Sequence, residues 1–252
     1  MGGMASLLLL LWVGLTVGKV VDLQKRIIGG HNCNNNERLY HVKLIAKVDA
    51  THESLCGGSL ISDQWILTAA HCWEPRWIIT AHLGVHPRQG HGNAQQMQIT
   101  EDPQIFTDQD NNNNVRQHDI MLLKLPRKVT IRPVQLPDCK RRPNVGATVQ
   151  IAGHAARFEV PPYVPDLQCA DIKVVTCPHI VVNNVDWSYQ HWLCGRTRGV
   201  DTCPGDSGGG VVYNNKIYGV HSNSGTYACT AEAAFMDVCE YIQWIRIVTG
   251  LN

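Results

Sequence analysis

The sequence lacks the features that would point to a nucleic acid, a metal ion or a glycan. Only 17% of its 252 residues are charged, and the net charge is +1. No basic run exceeds a few residues, so nothing favours a nucleic acid or a membrane surface as partner. None of the ten cysteines belongs to a Cys-x-x-Cys pair of the kind that zinc sites use. There is no Asn-x-Ser/Thr sequon, so N-glycosylation is not expected.

The sequence has only one long apolar run, and it lies at the N-terminus. Residues 4–17 carry no charge, and a run of this length is too short to span a bilayer. It predicts a secretory signal peptide over residues 1–18, and no other run could anchor the chain in a membrane. We therefore expect a secreted, extracellular protein. In such a chain an even number of cysteines favours five disulfides over metal sites.

Elsewhere the apolar residues occur in short runs separated by Gly, Pro, Asn and Asp. This pattern predicts an all-β, many-stranded antiparallel fold of the sandwich or barrel type. Only the last segment, CEYIQWIRIVTG, has helical spacing, with Gly250 as its C-cap. His82, His86 and His91 cluster loosely in a segment with Gly and Pro, and we expect solvated loop side chains there instead of a metal site.

Residues 201–210, DTCPGDSGGG, place Ser207 between an acidic residue and three glycines. A serine hydroxyl is a weak nucleophile and needs an adjacent base that a third group orients. His71 ends the apolar run LTAAHC, and Asp119 precedes the run IMLLKL. Taken singly, the histidine could be structural and the aspartate a turn cap. The three residues together indicate a nucleophile, a base and its orienting carboxylate.

These stretches resemble those of the trypsin/chymotrypsin-like serine proteases. The resemblance covers residues 27–252 and rests on IIGG, CGGSLI, WILTAAHC, HDIMLLKL, CPGDSGGG and YIQWI. It implies two antiparallel six-stranded β-barrels with a C-terminal α-helix and an active site between the barrels. It also implies that Ser207 attacks the acyl carbon, that His71 moves the proton and that Asp119 holds the imidazole in the useful tautomer.

The same resemblance implies an oxyanion hole and an activation step. The backbone N–H groups of Gly205 and Ser207 would stabilise the developing oxyanion. Cleavage after Arg26 would free the ammonium of Ile27 to pair with Asp206. The chain is therefore expected to be a zymogen, with residues 19–26 as its activation propeptide.

The resemblance places a specificity pocket around Asp201, whose carboxylate suits a bound Arg or Lys. The remaining substrate-binding positions that it implies are Thr202, Ser222, Asn223 and Ala233. Ser222 also matches the family serine that hydrogen-bonds the triad carboxylate. The walls depart from the family, since Asn223 replaces a tryptophan, Ala233 a glycine and His221 a valine. If His221 reached Asp201, their ion pair would weaken selection for a basic residue, so an atypical, non-basic specificity stays open.

The resemblance implies the disulfides Cys33–Cys169, Cys56–Cys72, Cys139–Cys239, Cys177–Cys194 and Cys203–Cys229. The segment 83–100 corresponds to the trypsin calcium loop but has no Asp or Glu, so we expect no metal and no cofactor. We expect a monomer whose partners are protein or peptide substrates, an activating trypsin-like protease and protein inhibitors. The alternative is a protease-like binding module without turnover, although the triad and the activation residues are all present.

Overall fold

The computed structural model describes residues 27, 29–87, 94–154, 166–182, 184–200, 202, 205–223 and 232–252, without the side chains of Val182 and Asn223. The predicted signal peptide and propeptide, Asp201 and the Cys203–Cys229 pair lie outside these residues. In the described part, none of the helices has the length and apolar character needed to cross a membrane.

The described chain is mostly β-structure, as the sequence predicts, with one α-helix at its C-terminal end. The strands of its first half are β1 (His31–Asn32), β2 (His41–Lys47), β3 (Glu53–Leu60), β4 (Trp65–Thr68), β5 (Ile78–Leu83), β6 (Gln95–Gln98), β7 (Gln104–Gln109) and β8 (Val115–Lys124). A short 3-10 helix, Ala70–Cys72, follows β4. The second half contains β9 (Thr148–Gly153), β10 (Gln168–Val175), β11 (Val181–Val182), β12 (Val185–Asp186), β13 (Trp192–Gly195), β14 (Gly210–Tyr213), β15 (Lys216–Asn223), β16 (Ala233–Asp237) and the helix α1 (Val238–Thr249).

Seven strands of the first half form an antiparallel sheet in the order β6-β5-β2-β3-β4-β8-β7. Its two outer strands, β6 and β7, follow one another in the chain and are separated only by residues 99–103. The N–H of Ile99 still bonds to the carbonyl of Ile79, at 2.9 Å, so the pairing with β5 continues into this connection. Taken as one bent strand, β6 and β7 make this the first of the two six-stranded units.

The second half forms a closed barrel of six strands. Its order is β9-β10-β13-β16-β15-β14, and β9 pairs with both β10 and β14, so the ring has no free edge. The short strand β1 adds to β10 from outside, with His31 opposite Cys169. The chain that leads into the first sheet therefore starts on the second barrel.

Four disulfides connect the described residues, with the pairing that the resemblance implies. They are Cys33–Cys169, Cys56–Cys72, Cys139–Cys239 and Cys177–Cys194. Cys33 and Cys169 are 136 residues apart in sequence, and their bond holds the start of the domain on β10. In the chain-entropy model a cross-link over so long a loop restricts the unfolded chain strongly.

The helix α1 closes the chain against the first sheet. It begins at Asp237, whose carboxylate accepts the N–H of Cys239, and ends at Gly250 in the left-handed conformation with φ 72°. The predicted C-cap is therefore confirmed. Tyr241 and Ile245 are buried in the same core cluster as Ile120 and the other apolar residues of β8. The helix thus completes the core on which the strand with Asp119 rests.

His82, His86 and His91 are not all solvated loop residues, and the prediction was wrong for His82 and His86. The side chain of His86 is buried, and its Nε2 lies 2.9 Å from the carbonyl oxygen of Asn34. His82 is a half-buried residue of β5. His91 lies outside the described residues. The loop prediction fails at His82, which belongs to β5, and only tertiary packing against the turn at Asn34 decides that His86 is enclosed.

Candidate active site

His71 is held at the end of a buried strand. Ile66 and Leu67 of β4 are fully buried, so the chain enters the 3-10 helix from the core. Cys72, next to the histidine, is bonded to Cys56 of β3. The backbone of His71 is therefore fixed on both sides, while its side chain stays 45% exposed. An exposed imidazole on a rigid support can meet a substrate.

Asp119 precedes the fully buried apolar run of β8. Because its neighbours in the strand are buried, its own side chain is only 12% exposed. Its Oδ1 accepts the backbone N–H of His71 at 2.8 Å. Its Oδ2 lies 2.8 Å from His71 Nδ1 and also accepts the hydroxyl of Ser222. Because an ionised carboxylate can only accept, Nδ1 carries the proton and Nε2 of His71 is left as the basic nitrogen.

The pair shifts the pKa values of both residues. Burial pushes the pKa of Asp119 upward, but the positive charge and hydrogen bonds of His71, with that of Ser222, hold it below its ordinary value. Burial pulls the pKa of His71 downward, but the charge and hydrogen bond of Asp119 raise it above its ordinary value of about 6.5. The result is a histidine whose basicity suits general base catalysis near neutral pH.

The loop with Ser207 packs closely against the strand ends that lead to His71. The N–H of Gly57, in β3, donates to the carbonyl of Ser207 at 2.7 Å. Gly208 has φ 80°, and a Cβ atom there would lie 2.1 Å from Oγ1 of Thr68. Only glycine permits both this conformation and this approach. Among the described residues, the side-chain hydrogen bond of His71 goes to Asp119, and none joins it to Ser207 Oγ.

The residues on either side of Ser207 belong to the second barrel. Gly205 has φ 96°, a conformation that favours glycine. Asp206 is 2% exposed, and its carboxylate lies against Gly153 at the end of β9. Ile27 is 1% exposed and belongs to the core cluster of this barrel. The structure therefore buries both predicted activation partners that it describes, Ile27 and Asp206, in the second half.

In the part of the chain that the structure describes, the cysteines of the two candidate metal-ligand groups are bonded to one another. Two groups in the described part of the chain bring three ligand-type atoms close together: Cys56, His71 and Cys72, and Cys33, Glu37 and Cys169. In each group the two cysteines are joined in a disulfide. A disulfide sulfur is not a thiolate and does not bind a metal as one.

A family model with the description Trypsin matches residues 27–245. The chain belongs to the trypsin family. It is a trypsin-like serine protease and thus a serine endopeptidase, the class that its sequence motifs predict. Proteases of this family act on protein substrates and are inhibited by protein inhibitors.

Curated relatives are similar over nearly the whole of this protease. Anionic trypsin of Canis lupus familiaris is 30% identical over 99% of this chain and 100% of its own. Snake venom serine protease 3 of Protobothrops flavoviridis is 34% identical over 90% of this chain and 88% of its own. A solved structure, "Structure of GrC", matches with a TM-score of 0.73 and 23% identity over 89% of this chain and 100% of its own, which shows the fold.

Two predicted pocket residues of this trypsin-family chain have buried side chains in the structure, Thr202 and Ala233. Ser222 is half-buried and bonded to Asp119. His221 is 4% exposed, with its ring centroid 5.8 Å from that of Phe235. Burial lowers the pKa of His221 to about 3, so its imidazole is neutral at neutral pH. Asp201 and the side chain of Asn223 lie outside the described part.

A pocket of about 590 Å³ borders His71 and Asp119 of the protease. Three tryptophans line it: Trp73, Trp187 and Trp192. No sequence motif marks them as neighbours, because they lie in different parts of the chain and only the tertiary fold brings them together.

Two residues that contact the segment ending in Asp119 were also not predicted from the sequence, Gln190 and Tyr241. The side-chain oxygen of Gln190 accepts the N–H of Asp119 at 2.7 Å. The hydroxyl of Tyr241 lies 2.7 Å from Nδ1 of His118. No sequence pattern signals either contact, since Gln190 is 71 residues from Asp119 and Tyr241 is 123 residues from His118.

Proposed function

We propose that this chain is a secreted serine endopeptidase, made as a zymogen, that hydrolyses peptide bonds through an acyl-enzyme on Ser207. Residues 1–18 are its signal peptide, 19–26 its activation propeptide and 27–252 its protease domain. The observation that carries the proposal is the arrangement at Asp119. Its carboxylate accepts the N–H and Nδ1–H of His71 and the hydroxyl of Ser222, three groups from two residues that are both far from Asp119 in the chain.

In the first half of the reaction, Oγ of Ser207 attacks the carbonyl carbon of the scissile peptide bond. Nε2 of His71 takes the hydroxyl proton, and Asp119 stabilises the imidazolium that forms. The N–H groups of Gly205 and Ser207 donate to the oxyanion, and each such donor typically contributes ~3–4 kcal/mol. The C–N bond then breaks, His71 returns its proton to the leaving amine, and the acyl group stays as an ester on Ser207.

In the second half, water replaces the amine. Nε2 of His71 takes a proton from the water, whose oxygen attacks the ester carbon. The ester bond breaks, His71 protonates Ser207, and the carboxylic acid product leaves. No metal or cofactor is needed for any of these steps.

Activation follows from the position of Ile27. Cleavage after Arg26 by a trypsin-like protease creates a new ammonium at Ile27, whose side chain is buried in the second barrel. In the proposed active form this ammonium pairs with the buried carboxylate of Asp206, beside the nucleophile. The predicted signal peptide and the venom proteases among the relatives support secretion.

For specificity we propose a preference for Arg or Lys before the scissile bond, with Asp201 as the pocket carboxylate. The low pKa of His221 supports this, because a neutral imidazole cannot neutralise Asp201 through an ion pair. An atypical, non-basic specificity is the second candidate. It is favoured by the methyl group of the buried Ala233, which would narrow the pocket by comparison with glycine.

The catalytic part of the proposal is tested with diisopropyl fluorophosphate, which phosphorylates an activated serine whatever the substrate specificity. The chain cleaved after Arg26 should be labelled at Ser207, as found by mass spectrometry of its peptides. Ser207→Ala should not be labelled. Absence of labelling in the cleaved wild-type protein would support the binding module without turnover.

The specificity part needs a separate test. Cleavage of a fluorogenic peptide library that varies only the residue before the cut gives the ratio of Arg to Leu. Replacing Asp201→Ser should reduce this ratio roughly tenfold or more, because a charge-assisted hydrogen bond is lost. An unchanged ratio would favour the second candidate.

A further inference from the structure

We propose that Gln190 is a positioning residue for the reaction: from the second barrel it holds the backbone of Asp119 and, through Asp119, the imidazole of His71. The inference rests on the proposed function, in which His71 is the base and Asp119 orients it. Among the described residues, no hydrogen bond joins Gln190 to Ser207, and its Oε1 accepts from the backbone of Asp119. Its effect passes through one backbone N–H group.

Asp119 lies where the strand pairing of β8 is interrupted. Gln117 is opposite Thr107 of β7, but the next pair joins Met121 to Ile105, and the register shifts between them. The pairing of β8 with β4 also begins only at Met121. Asp119 therefore has no opposite residue in either strand ladder. A buried backbone N–H needs a hydrogen bond, and at such an irregularity it must come from elsewhere.

Gln190 supplies that bond. Its Oε1 accepts the N–H of Asp119 at 2.7 Å, and the glutamine is 4% exposed. A short contact in a buried place is shielded from competition with water. The carboxylate of Asp119 forms hydrogen bonds with His71 and Ser222. Hydrogen bonds thus hold Asp119 at both its backbone and its side chain.

The residues on either side of Gln190 also hold the residues before Asp119, one by a direct hydrogen bond and the other through the hydroxyl of Tyr241. The hydroxyl of Tyr189 donates to the carbonyl of Gln117 at 2.8 Å. The N–H of His191 donates to the hydroxyl oxygen of Tyr241 at 3.1 Å, and this hydroxyl lies 2.7 Å from Nδ1 of His118. Residues 189–191 therefore run alongside residues 117–119, and Gln190 is the member that reaches Asp119.

The position of Gln190 is itself fixed. Its N–H donates to the carbonyl of Trp187 at 3.1 Å, and the indole N–H of Trp192 donates to the same carbonyl at 3.0 Å. The segment ends in β13, which pairs with β16 in the closed barrel. The disulfide Cys177–Cys194 closes the loop that contains it. Gln190 therefore fixes the position of Asp119 relative to the second barrel, which also carries Ser207.

Loss of the acceptor should release the interrupted segment of β8. The N–H of Asp119 would then seek another partner, and its carboxylate would turn away from Nδ1 of His71. Two effects follow. Proton transfer from Ser207 slows because the imidazole is no longer aligned, and the pKa of His71 falls towards its ordinary value because the contact that raises it is weakened.

The test compares Gln190→Met, which keeps the length of the side chain without an acceptor, with Gln190→Glu, which keeps an acceptor and adds negative charge. Gln98→Met, at an exposed position of β6, is the matched control. Each full chain is cleaved after Arg26, and the second-order rate of reaction with diisopropyl fluorophosphate is measured between about pH 5 and pH 9. Thermal unfolding of each variant is recorded in parallel.

We expect Gln190→Met to react roughly 10–100-fold more slowly than wild type and to lower the midpoint of the acid limb, since small misplacements of catalytic groups cost up to about 100-fold. Gln190→Glu should react at high pH within about threefold of wild type and raise that midpoint, because its charge lies beside the pair of Asp119 and His71. Gln98→Met should match wild type in both.

A lower melting temperature with unchanged rate and midpoint in Gln190→Met would overturn the proposal and leave Gln190 a structural residue. If Gln190→Met does not fold, Gln190→Glu decides, and a midpoint that does not rise refutes the inference. A wild-type protein that is not labelled at Ser207 refutes the proposed function and the inference with it, and this is seen before any Gln190 variant is compared.

Discussion

A methyl group at Gly153 would collide with the carboxyl group beside Ser207. A Cβ atom at this last residue of β9 would lie 1.8 Å from Oδ1 of Asp206, 2.5 Å from its Cγ and 3.0 Å from its Cβ. Asp206 is 2% exposed, and its carbonyl accepts the N–H of Gly209 at 3.0 Å. The carboxyl group therefore cannot swing into solvent without moving the loop, and Gly153→Ala should displace it.

The size of the displacement can be worked from these distances. To restore a contact of 3.0 Å from 1.8 Å, Oδ1 must move by at least about 1.2 Å, the difference of the two. Asp206 lies between Gly205 and Ser207, so a shift of this size reaches the nucleophile and the oxyanion donors. A misplacement of about 1 Å can cost ~100-fold in rate. Overpacking also costs roughly 1–3 kcal/mol of stability.

The assay separates the two effects. The cleaved chain and its Gly153→Ala variant are compared by their rate of reaction with diisopropyl fluorophosphate and by urea unfolding. Gly146→Ala is the control, because it has φ 90° but no atom within 4 Å of a new Cβ. It should lose roughly 1–3 kcal/mol to backbone strain and keep the wild-type rate. A Gly153→Ala variant that reacts within about threefold of wild type would refute the argument.

Three further outcomes are expected. Cleavage after Arg26 should switch activity on, and Asp206→Asn should leave the cleaved protein nearly inactive, since breaking a buried ion pair typically costs ~3–5 kcal/mol; full activity before cleavage would contradict this. Only a neutral imidazole can accept the serine proton, so the raised pKa of His71 should place the acid limb of activity above about pH 6.5. Asp119→Asn should lower the midpoint of this acid limb. A wild-type midpoint at or below about pH 6.5 would count against the pairing of Asp119 with His71. The melting temperature should not respond to EDTA or calcium, because residues 83–100 have no carboxylate side chain; stabilisation by millimolar calcium would reveal ligands elsewhere.

Local motifs in the sequence are the basis for the proposed triad residues. His71 follows a buried strand and adjoins a cysteine, Asp119 opens an apolar run, and Ser207 lies among glycines. Each pattern reports a local requirement, such as the positive φ of Gly208, which favours glycine. Such requirements restrict which residue types are possible and therefore remain visible in one sequence.

The solvent exposure of the histidines was not predictable in the same way. The sequence pattern predicts a solvated loop side chain at His86, yet a turn 52 residues earlier covers it. His221 is buried in the second barrel, and this burial lowers its pKa to about 3. The burial of a side chain depends on residues from other parts of the chain that pack against it. It therefore cannot be predicted from the neighbouring residues in the sequence.

By itself the sequence determined the all-β class, the C-terminal helix with its cap at Gly250 and four disulfide pairs of the described chain. Only the tertiary structure decided that the second barrel closes while β6 and β7 act as one bent strand. It alone placed Gln190 on the N–H of Asp119. The reason is physical: residue type and local spacing limit the backbone over a few residues, whereas the partner of a buried N–H is set by the packing of segments far apart in the chain.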